Sequence, residues 1–236
     1  MPLRTARTFR RNVRWMKPPS RPMPRKPRTD SALVPAIVLA GGGSTRLGQP
    51  KQLLRLPALG GETLIDHAIN LAIAAGATTI FVVLGADADE IQRQSQLREC
   101  IVVRNEAWRE GMASSIRLGV AAIMGNAPDA SGAMVLVCDQ PALSADHLRA
   151  LLNAHRANPK SIAASCYAGR AGVPVVFPRA LFPALLELNG DQGARAMLQQ
   201  PGLAVHAIDF PGGELDLDSP EDLRRLESDP LARPRG

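Results

Sequence analysis

The sequence is poor in aromatic residues and has no long apolar run, and each absence narrows what this protein can be. Only 3% of its 236 residues are Phe, Trp or Tyr, so Ala, Leu, Ile and Val must form most of the core. No apolar run reaches the roughly 18 residues of a membrane-spanning helix. We therefore expect a soluble, cytoplasmic protein with no membrane partner.

Cysteine is also scarce, with Cys100, Cys138 and Cys166 far apart and without a C-x-x-C pair. An odd number of dispersed cysteines argues against a disulfide framework or a zinc site and favours a reducing compartment. Each adjoins an apolar run, so we interpret all three as inert buried thiols. The four histidines contain no pair with metal-ligand spacing, and we assign none to a metal.

The net charge of +6 comes from one end of the chain. Residues 1–30 carry ten Lys or Arg and one acid, which leaves 18 basic and 21 acidic side chains for the rest. The domain itself therefore gives no support for nucleic-acid binding. We expect residues 1–32 to be a disordered Pro/Arg-rich tail, 33–228 one domain and 229–236 a short C-terminal tail. A solvated tail or over-extended start is favoured for 1–32, with an arm for nucleic acid or an acidic partner, or a transit peptide, left open.

After residue 33, apolar runs that predict strands alternate with segments of helical spacing. The predicted strands are 34–40, 79–84, 101–103, 133–138, 162–166, 173–177 and 203–208. The predicted helices are 63–75, one from 87, 112–124, 144–155, 180–188, 192–199 and 219–227. Because the strands are apolar throughout rather than alternating, helices should cover both faces of the sheet. The sequence predicts a three-layer, Rossmann-like α/β fold with a mostly parallel sheet.

The first predicted strand runs into a glycine loop, L-A-G-G-G-S-T-R-L-G-Q-P-K at positions 39–51. Consecutive glycines let backbone N–H groups approach a polyphosphate closely, while Arg46 and Lys51 offer cations for its oxygens. The P-loop motif does not fit, because Pro50 precedes Lys51. The dinucleotide motif does not fit either, because Arg46 and Leu47 stand where a glycine is required.

Asp139 follows a buried strand in the segment V-L-V-C-D-Q-P. Open α/β sheets bind ligands at the carboxyl ends of their strands. A carboxylate there needs a positive partner, and Mg²⁺ carrying phosphate oxygens suits it. A turn or helix-capping Asp before Pro141 is the alternative. Together with the glycine loop, the metal role is favoured.

The pattern L-A-G-G-G-x-x-R-L-G-x-P-K resembles the signature of the MobA-like NTP transferases, which activate sugar phosphates and molybdenum cofactors. The segment C-D-x-P at Asp139 matches their metal-binding motif, and the resemblance extends from Val34 to about Glu227. It implies the fold of nucleotide-diphospho-sugar transferases. It further implies that Arg46 and Lys51 act in catalysis with Asp139. The loop residues that would wrap the nucleotide are Leu39, Ala40, Gly41, Gly42, Gly43 and Ser44.

Two further segments resemble the molybdenum cofactor cytidylyltransferases within this family. Residues 105–115 resemble N-P-x-[WY]-x-x-G-x-x-x-S, with Glu106 in place of Pro. The resemblance implies that Asn105 and Ser114 belong to the nucleotide pocket, although a plain loop with solvated serines fits equally well. The segment G-V-P-V-V-F resembles G-H-P-[VI]-[LV]-F, but Val173 replaces the usual His on the acceptor side.

Two motifs near the C-terminus complete the resemblance. Asp191 and Arg195 lie in a segment that resembles G-D-x-G-A-R, where Asp191 caps a helix or, like Arg195, binds the acceptor. Asp216 and Asp218 lie in D-L-D-S-P-E-D, and alternation along an extended segment points both to the same side. We take Asp218 as the second metal ligand. Ser219 is expected to cap the helix that follows.

The resemblance implies a Mg²⁺-dependent enzyme that transfers CMP from CTP to a phosphorylated acceptor such as molybdopterin and releases pyrophosphate. Because the acceptor phosphate is already ionised, it needs no general base. GTP as donor, a sugar or alditol phosphate as acceptor, and a molybdoenzyme maturation protein with little turnover are the alternatives. A molybdoenzyme or its chaperone is a further expected partner, and nucleic acid is not.

Overall fold

The computed structural model describes residues 33–191 and 193–228, which build a seven-stranded sheet. The strands are β1 (Ala36–Ala40), β2 (Ile80–Leu84), β3 (Cys100–Arg104), β4 (Gly132–Val137), β5 (Ile162–Tyr167), β6 (Arg170–Pro178) and β7 (Val205–Asp209). Their spatial order is β3-β2-β1-β4-β6-β5-β7. Only β6, among these strands, runs antiparallel to its neighbours. The predicted mostly parallel sheet is confirmed, while the predictions for residues 1–32 and 229–236 lie outside the described residues.

Helices cover both faces of this sheet. They are α1 (Leu64–Ala75), α2 (Ala88–Gln94), α3 (Met112–Asn126), α4 (Ala145–Ala157), α5 (Phe182–Leu186), α6 (Gly193–Leu198) and α7 (Pro220–Ser228). Successive residues of β1 point to opposite faces: Val38 packs with the core under α1, α2 and α4, and Ile37 and Leu39 pack with the core under α3, α5 and α6. Three layers follow directly from that alternation.

The predicted helix over 180–188 is shorter in the structure. A 3-10 turn covers Arg179–Leu181, and α5 occupies Phe182–Leu186 with Pro183 in its first turn. Proline has no backbone N–H to donate, so it is tolerated at a helix start and not within one. Strand β6 is longer than predicted, because a tight turn with Ala168 and Gly169 at positive φ joins it to β5 as a hairpin.

The topology sets two chain segments side by side at one edge of the sheet. Strands β1 and β4 are parallel hydrogen-bonded neighbours, with Leu39 opposite Val137. Both strands end at this edge, so the glycine loop after β1 and Asp139 after β4 emerge together. Among the described helices, none is long and apolar enough to cross a membrane.

Candidate active site

A cavity of about 500 Å³ lies at this edge of the sheet. Eight residues predicted from the sequence contribute to its wall, namely Leu39, Ala40, Gly41, Gly42, Gly43, Lys51, Asp139 and Asp191. Other wall residues were not predicted to bind a ligand, among them Gln52, Trp108, Arg109, Met112 and Ser115. The sequence prediction therefore places most of its binding residues around one space.

Lys51 connects the two predicted metal ligands. Its Nζ donates to Asp139 Oδ2 and to Asp218 Oδ1, each at 2.5 Å. The side chains of Lys51 and Asp139 are only 14% and 13% exposed, and that of Asp218 is 45% exposed. Burial opposes the charge on Lys51, but the two carboxylates outweigh it and raise its pKa. The three residues form one partly buried ionic cluster, although they lie far apart in the sequence.

Backbone contacts bring Asp218 to this cluster. The N–H of Leu217 donates to the carbonyl of Asp139 at 3.0 Å, so the segment before α7 runs alongside the end of β4. Helix α7 begins with a reciprocal cap: Ser219 N donates to Asp222 Oδ2 at 2.8 Å, and Asp222 N donates to Ser219 Oγ at 3.3 Å. This confirms the predicted helix start and fixes the residue just before it.

Asp216 adds a third carboxyl group to the neighbourhood. Part of its side chain contacts solvent, yet desolvation together with the charges of Asp139 and Asp218 raises its pKa to about 7, while Lys51 opposes the shift. One ammonium group thus faces three carboxyl groups. The local charge is negative and favours a further cation.

A divalent metal fits this arrangement. Asp139 Oδ1 is buried and has no hydrogen-bond partner among the described residues, so one carboxylate oxygen is left for another ligand. Asp218 stands beside it on the same ammonium group. In the described ranges no group of three or more His, Cys, Asp or Glu has metal-binding geometry. Mg²⁺ commonly takes one or two carboxylates and completes its shell with phosphate oxygens and water, which is what this pair offers.

The backbone of the glycine loop is arranged for an anion. The carbonyl of Gly41 accepts from Ala86 N at 3.2 Å, and Ser44 Oγ accepts from Lys51 N at 2.9 Å. By contrast, no backbone N–H of residues 41–46 donates to another described residue. Unpaired N–H groups that follow one another in a loop form an anion-binding concavity. The loop therefore offers hydrogen-bond donors to the phosphates of a nucleotide.

Asn105 and Ser114 lie behind the cavity rather than in its wall. Asn105 is 2% exposed, and its Nδ2 donates to Ser114 Oγ at 2.8 Å and to Ser115 Oγ at 2.9 Å. Both serines are buried, so the alternative of solvated serines is wrong. Only Ser115 reaches the cavity, where a Cβ added at Gly41 would lie 3.2 Å from its Oγ. Nucleotide binding by Asn105 and Ser114 stays a prediction.

Trp108 forms a side wall of the cavity. A Cβ at Gly43 would lie 3.1 Å from its ring, and one at Gly85 would lie 2.6 Å from its Cβ, so these glycines make room for the indole. The guanidinium of Arg109 lies over the same ring, 4.3 Å from its centroid. The W of the sequence motif indicated this position, whereas nothing in the sequence indicated Gly85.

Arg46, Ser44 and Arg195 also lie apart from the cavity wall. Arg46 is exposed in the turn of the loop and has no hydrogen bond or ion pair with another described residue. Ser44 supports the loop from outside the wall, and Arg195 is exposed on α6. Asp191 does reach the wall, because a Cβ at Gly111 would lie only 2.2 Å from its Oδ1. The roles of Arg46, Asp191 and Arg195 stay predictions.

The cysteines and histidines take no part in this site except for Cys138. Burial, with a smaller contribution from nearby acids, raises the pKa of Cys100 and of Cys138 to about 12, and both thiols are buried as predicted. Cys138 borders the cavity as an apolar wall residue. Cys166 is partly exposed, so the prediction of three buried thiols is wrong for this cysteine.

Comparison with known proteins agrees with this geometry. The family model for the MobA-like NTP transferase domain matches residues 36–205. The chain belongs to this family. It is therefore a nucleotidyltransferase with a nucleoside triphosphate as substrate, as the loop and Asp139 predicted.

Two relatives align over almost their whole lengths. Nicotine blue oxidoreductase of Paenarthrobacter nicotinovorans is 34% identical over 210 residues, which cover 84% of this chain and 98% of the relative. Purine catabolism protein PucB of Bacillus subtilis (strain 168) is 34% identical over 203 residues, covering 79% and 92%. Both alignments extend beyond the residues that the family model matches.

A solved structure has the same fold. Rv0371c of Mycobacterium tuberculosis H37Rv superposes with a TM-score of 0.73 at 29% identity and covers 85% of this chain and 100% of its own. A second structure of that protein is a complex with manganese, with a TM-score of 0.68 at 29% identity and coverage of 83% and 98%. The predicted fold class is confirmed.

Proposed function

We propose that this enzyme transfers CMP from CTP to the phosphate of an acceptor, with molybdopterin as the first candidate, and releases pyrophosphate. The observation that carries this proposal is the cavity whose wall contains the glycine loop, Lys51 and Asp139, with Asp218 bound to the ammonium group of Lys51. That set combines donors for a triphosphate with carboxylates for a cation.

Asp139 and Asp218 would hold Mg²⁺, with the free Oδ1 of Asp139 as the clearest support. The manganese complex of Rv0371c supports a divalent ion in a related protein. When bound, the ion supplies positive charge to the phosphate oxygens. The choice of Mg²⁺ over Mn²⁺ is part of the proposal.

The chain's own groups would act by positioning and charge. The N–H groups of the glycine loop bind and orient the triphosphate, and Lys51 offsets the charge that builds on the leaving pyrophosphate. An oxygen of the acceptor phosphate forms a bond to the α-phosphorus as the bond to the bridging oxygen breaks. The acceptor oxygen is already ionised, so no side chain has to remove a proton. Arg46 is proposed to join Lys51 on the phosphates.

The acceptor is the less constrained part of the proposal. The segment 105–115 supports molybdopterin, and the departures at Glu106 and Val173 leave guanylyl transfer or a sugar phosphate acceptor as alternatives. Asp191, which reaches the cavity wall, is proposed to contact the acceptor together with Arg195. A maturation protein that passes cofactor to a molybdoenzyme or its chaperone with little turnover is the non-catalytic alternative. A cytoplasmic location belongs to the same proposal.

A pyrophosphate-release assay tests the proposal. The full chain is mixed with each of CTP, GTP, ATP and UTP, with molybdopterin or a panel of sugar and alditol phosphates, and with Mg²⁺ or Mn²⁺. We expect release with CTP and molybdopterin that stops when EDTA is added, and that falls by orders of magnitude in Asp139→Asn. Pyrophosphate release with a different combination of nucleotide and acceptor would support guanylyl transfer or transfer to a sugar or alditol phosphate instead. Nucleotide binding without release supports the maturation role.

The name of one relative supports a second candidate, reduction of nicotine blue. Such an activity needs an electron donor, but the glycine loop does not fit the dinucleotide motif, because Arg46 and Leu47 replace the required glycine. The measurement is the oxidation of NADH and NADPH in the presence of nicotine blue. Oxidation that survives Lys51→Ala would establish a chemistry separate from nucleotidyl transfer.

A further inference from the structure

Gln52 is a buried polar residue that neither the motifs nor the proposed chemistry explains. It is 1% exposed and follows Lys51 in the 3-10 turn Lys51–Leu53. A buried amide must be satisfied by hydrogen bonds, since an unpaired one costs free energy. Its partners therefore show what this residue does.

All partners of the Gln52 amide belong to the glycine loop. Its Nε2 donates to the carbonyl of Ala40 at 3.0 Å and to that of Gly42 at 2.9 Å. Its Oε1 accepts from Ser44 Oγ at a longer 3.4 Å. One side chain thus holds the loop at three successive even-numbered positions.

This contact completes a run of three paired carbonyls at the start of the loop. The carbonyl of Gly41 is already paired with Ala86 N, so the oxygens of residues 40, 41 and 42 all have protein donors. The N–H groups of residues 41–46, in contrast, have no described acceptor. A carbonyl oxygen turned toward a triphosphate would repel it, whereas an N–H group attracts it.

We propose that Gln52 is a positioning residue that holds the carbonyls of Ala40 and Gly42 on its own side and thereby leaves the N–H groups of the loop for the triphosphate. The inference rests on the proposed function, because it assigns the loop to phosphate binding. Lys51, the residue before Gln52, adds a second contact, because its own N–H donates to Ser44 Oγ. The loop and its cation are thus set by the same short turn.

The test uses inorganic tripolyphosphate as the probe, because it carries no base and reports on the loop alone. Gln52→Met keeps the length of the side chain but removes both donors, and Gln52→Glu keeps its shape but exchanges the donors for an acceptor. The exposed Gln200 provides the matched controls Gln200→Met and Gln200→Glu. Calorimetry at 15 °C measures the affinity for tripolyphosphate and, separately, for Mn²⁺.

We expect both Gln52 variants to bind tripolyphosphate at least tenfold more weakly than the wild type, while their Mn²⁺ affinity stays within twofold. The Gln200 controls should match the wild type for both ligands. A purely structural role would lower the unfolding temperature without changing the affinity of the protein that remains folded. If Gln52→Met does not fold, the inference is tested by Gln52→Glu and by the NMR order parameters of the loop amides in the wild type, which should be those of a rigid backbone.

The outcomes separate this inference from the proposed function. If the wild type binds tripolyphosphate and the folded Gln52 variants bind it equally well, the positioning role is overturned. The proposed function is unaffected by that result. A wild type that does not bind tripolyphosphate at all overturns both. Low order parameters of the loop amides in the wild type, as in a mobile loop, also contradict the inference, because the loop would not then be held.

Discussion

Lys51 should compete with the metal for the same two carboxylates. In the structure its ammonium group lies 2.5 Å from Asp139 and 2.5 Å from Asp218, the pair proposed to hold a divalent ion. A cation on this pair must therefore displace Lys51 or sit beside it. We predict that Lys51→Ala binds Mn²⁺ more tightly than the wild type when no nucleotide is present, although it is expected to lose turnover.

The structure sets the size of this effect. Two unit charges 4 Å apart interact by about 4 kcal/mol at an effective dielectric constant of 20 and by about 1 kcal/mol in water. Lys51 is 14% exposed and Asp218 is 45% exposed, so the site lies between these limits. A gain of about 1–3 kcal/mol corresponds to a roughly 5- to 150-fold tighter dissociation constant. The gain should shrink as salt is raised, because ions screen the exposed part of the cluster.

Calorimetric titration with Mn²⁺, checked by the electron paramagnetic resonance signal of the free ion, measures the effect. Lys51→Arg keeps the charge and should not tighten binding, and Arg98→Ala removes an exposed positive charge elsewhere as a control. The unfolding temperature gives a second readout: without metal, Lys51→Ala leaves Asp139 unpaired, so Mn²⁺ should stabilise this variant more than the wild type. Equal or weaker Mn²⁺ binding by folded Lys51→Ala would refute the competition.

Three further predictions concern catalysis, packing and pH. Asp139→Asn should keep the fold but lose roughly two or more orders of magnitude in pyrophosphate release, and near-normal turnover would contradict the metal role. Gly111→Ala should lower the free energy of unfolding by at least about 1–3 kcal/mol in urea denaturation, because Gly111 has φ of 102° and a Cβ there would lie 2.2 Å from Asp191 Oδ1. Gly125→Ala, at a helical position with open space, is the control and should be neutral or stabilising. Burial lowers the pKa of His147 to about 4, so the unfolded chain takes up the proton first as pH falls below about 6.5. The contribution of neutral His147 to the free energy of unfolding is therefore fully present above that pH. It should fall by about 1–2 kcal/mol toward pH 4, after allowance for the partial exposure of the His147 side chain. His147→Phe should flatten this part of the profile of unfolding free energy against pH.

The sequence predicted those parts of the molecule that depend on local pattern. Continuous apolar runs predicted the strands, and consecutive glycines followed by Lys51 predicted the loop that lines the cavity. Strand order was not predictable in this way, because a run such as 173–177 looks the same in a parallel or an antiparallel strand. The insertion of β6 between β4 and β5 depends on the hairpin turn at Ala168, a residue that rarely adopts positive φ.

Within the site, too, the residues that were predicted stand in a local sequence pattern, and the residue that was missed depends on tertiary contacts. Asp139 was predictable because a carboxylate that directly follows a buried strand is unusual, and Asp218 because alternation fixed its side. Gln52 carries no such local mark, since its partners Ala40 and Gly42 are backbone carbonyls, which any sequence supplies. Its role exists only once the loop has folded back over it. Charged residues of the proposed phosphate site are therefore easier to predict from sequence than the neutral side chains that position its backbone. Mutational tests of neutral residues such as Gln52 should add most to what the sequence already predicts.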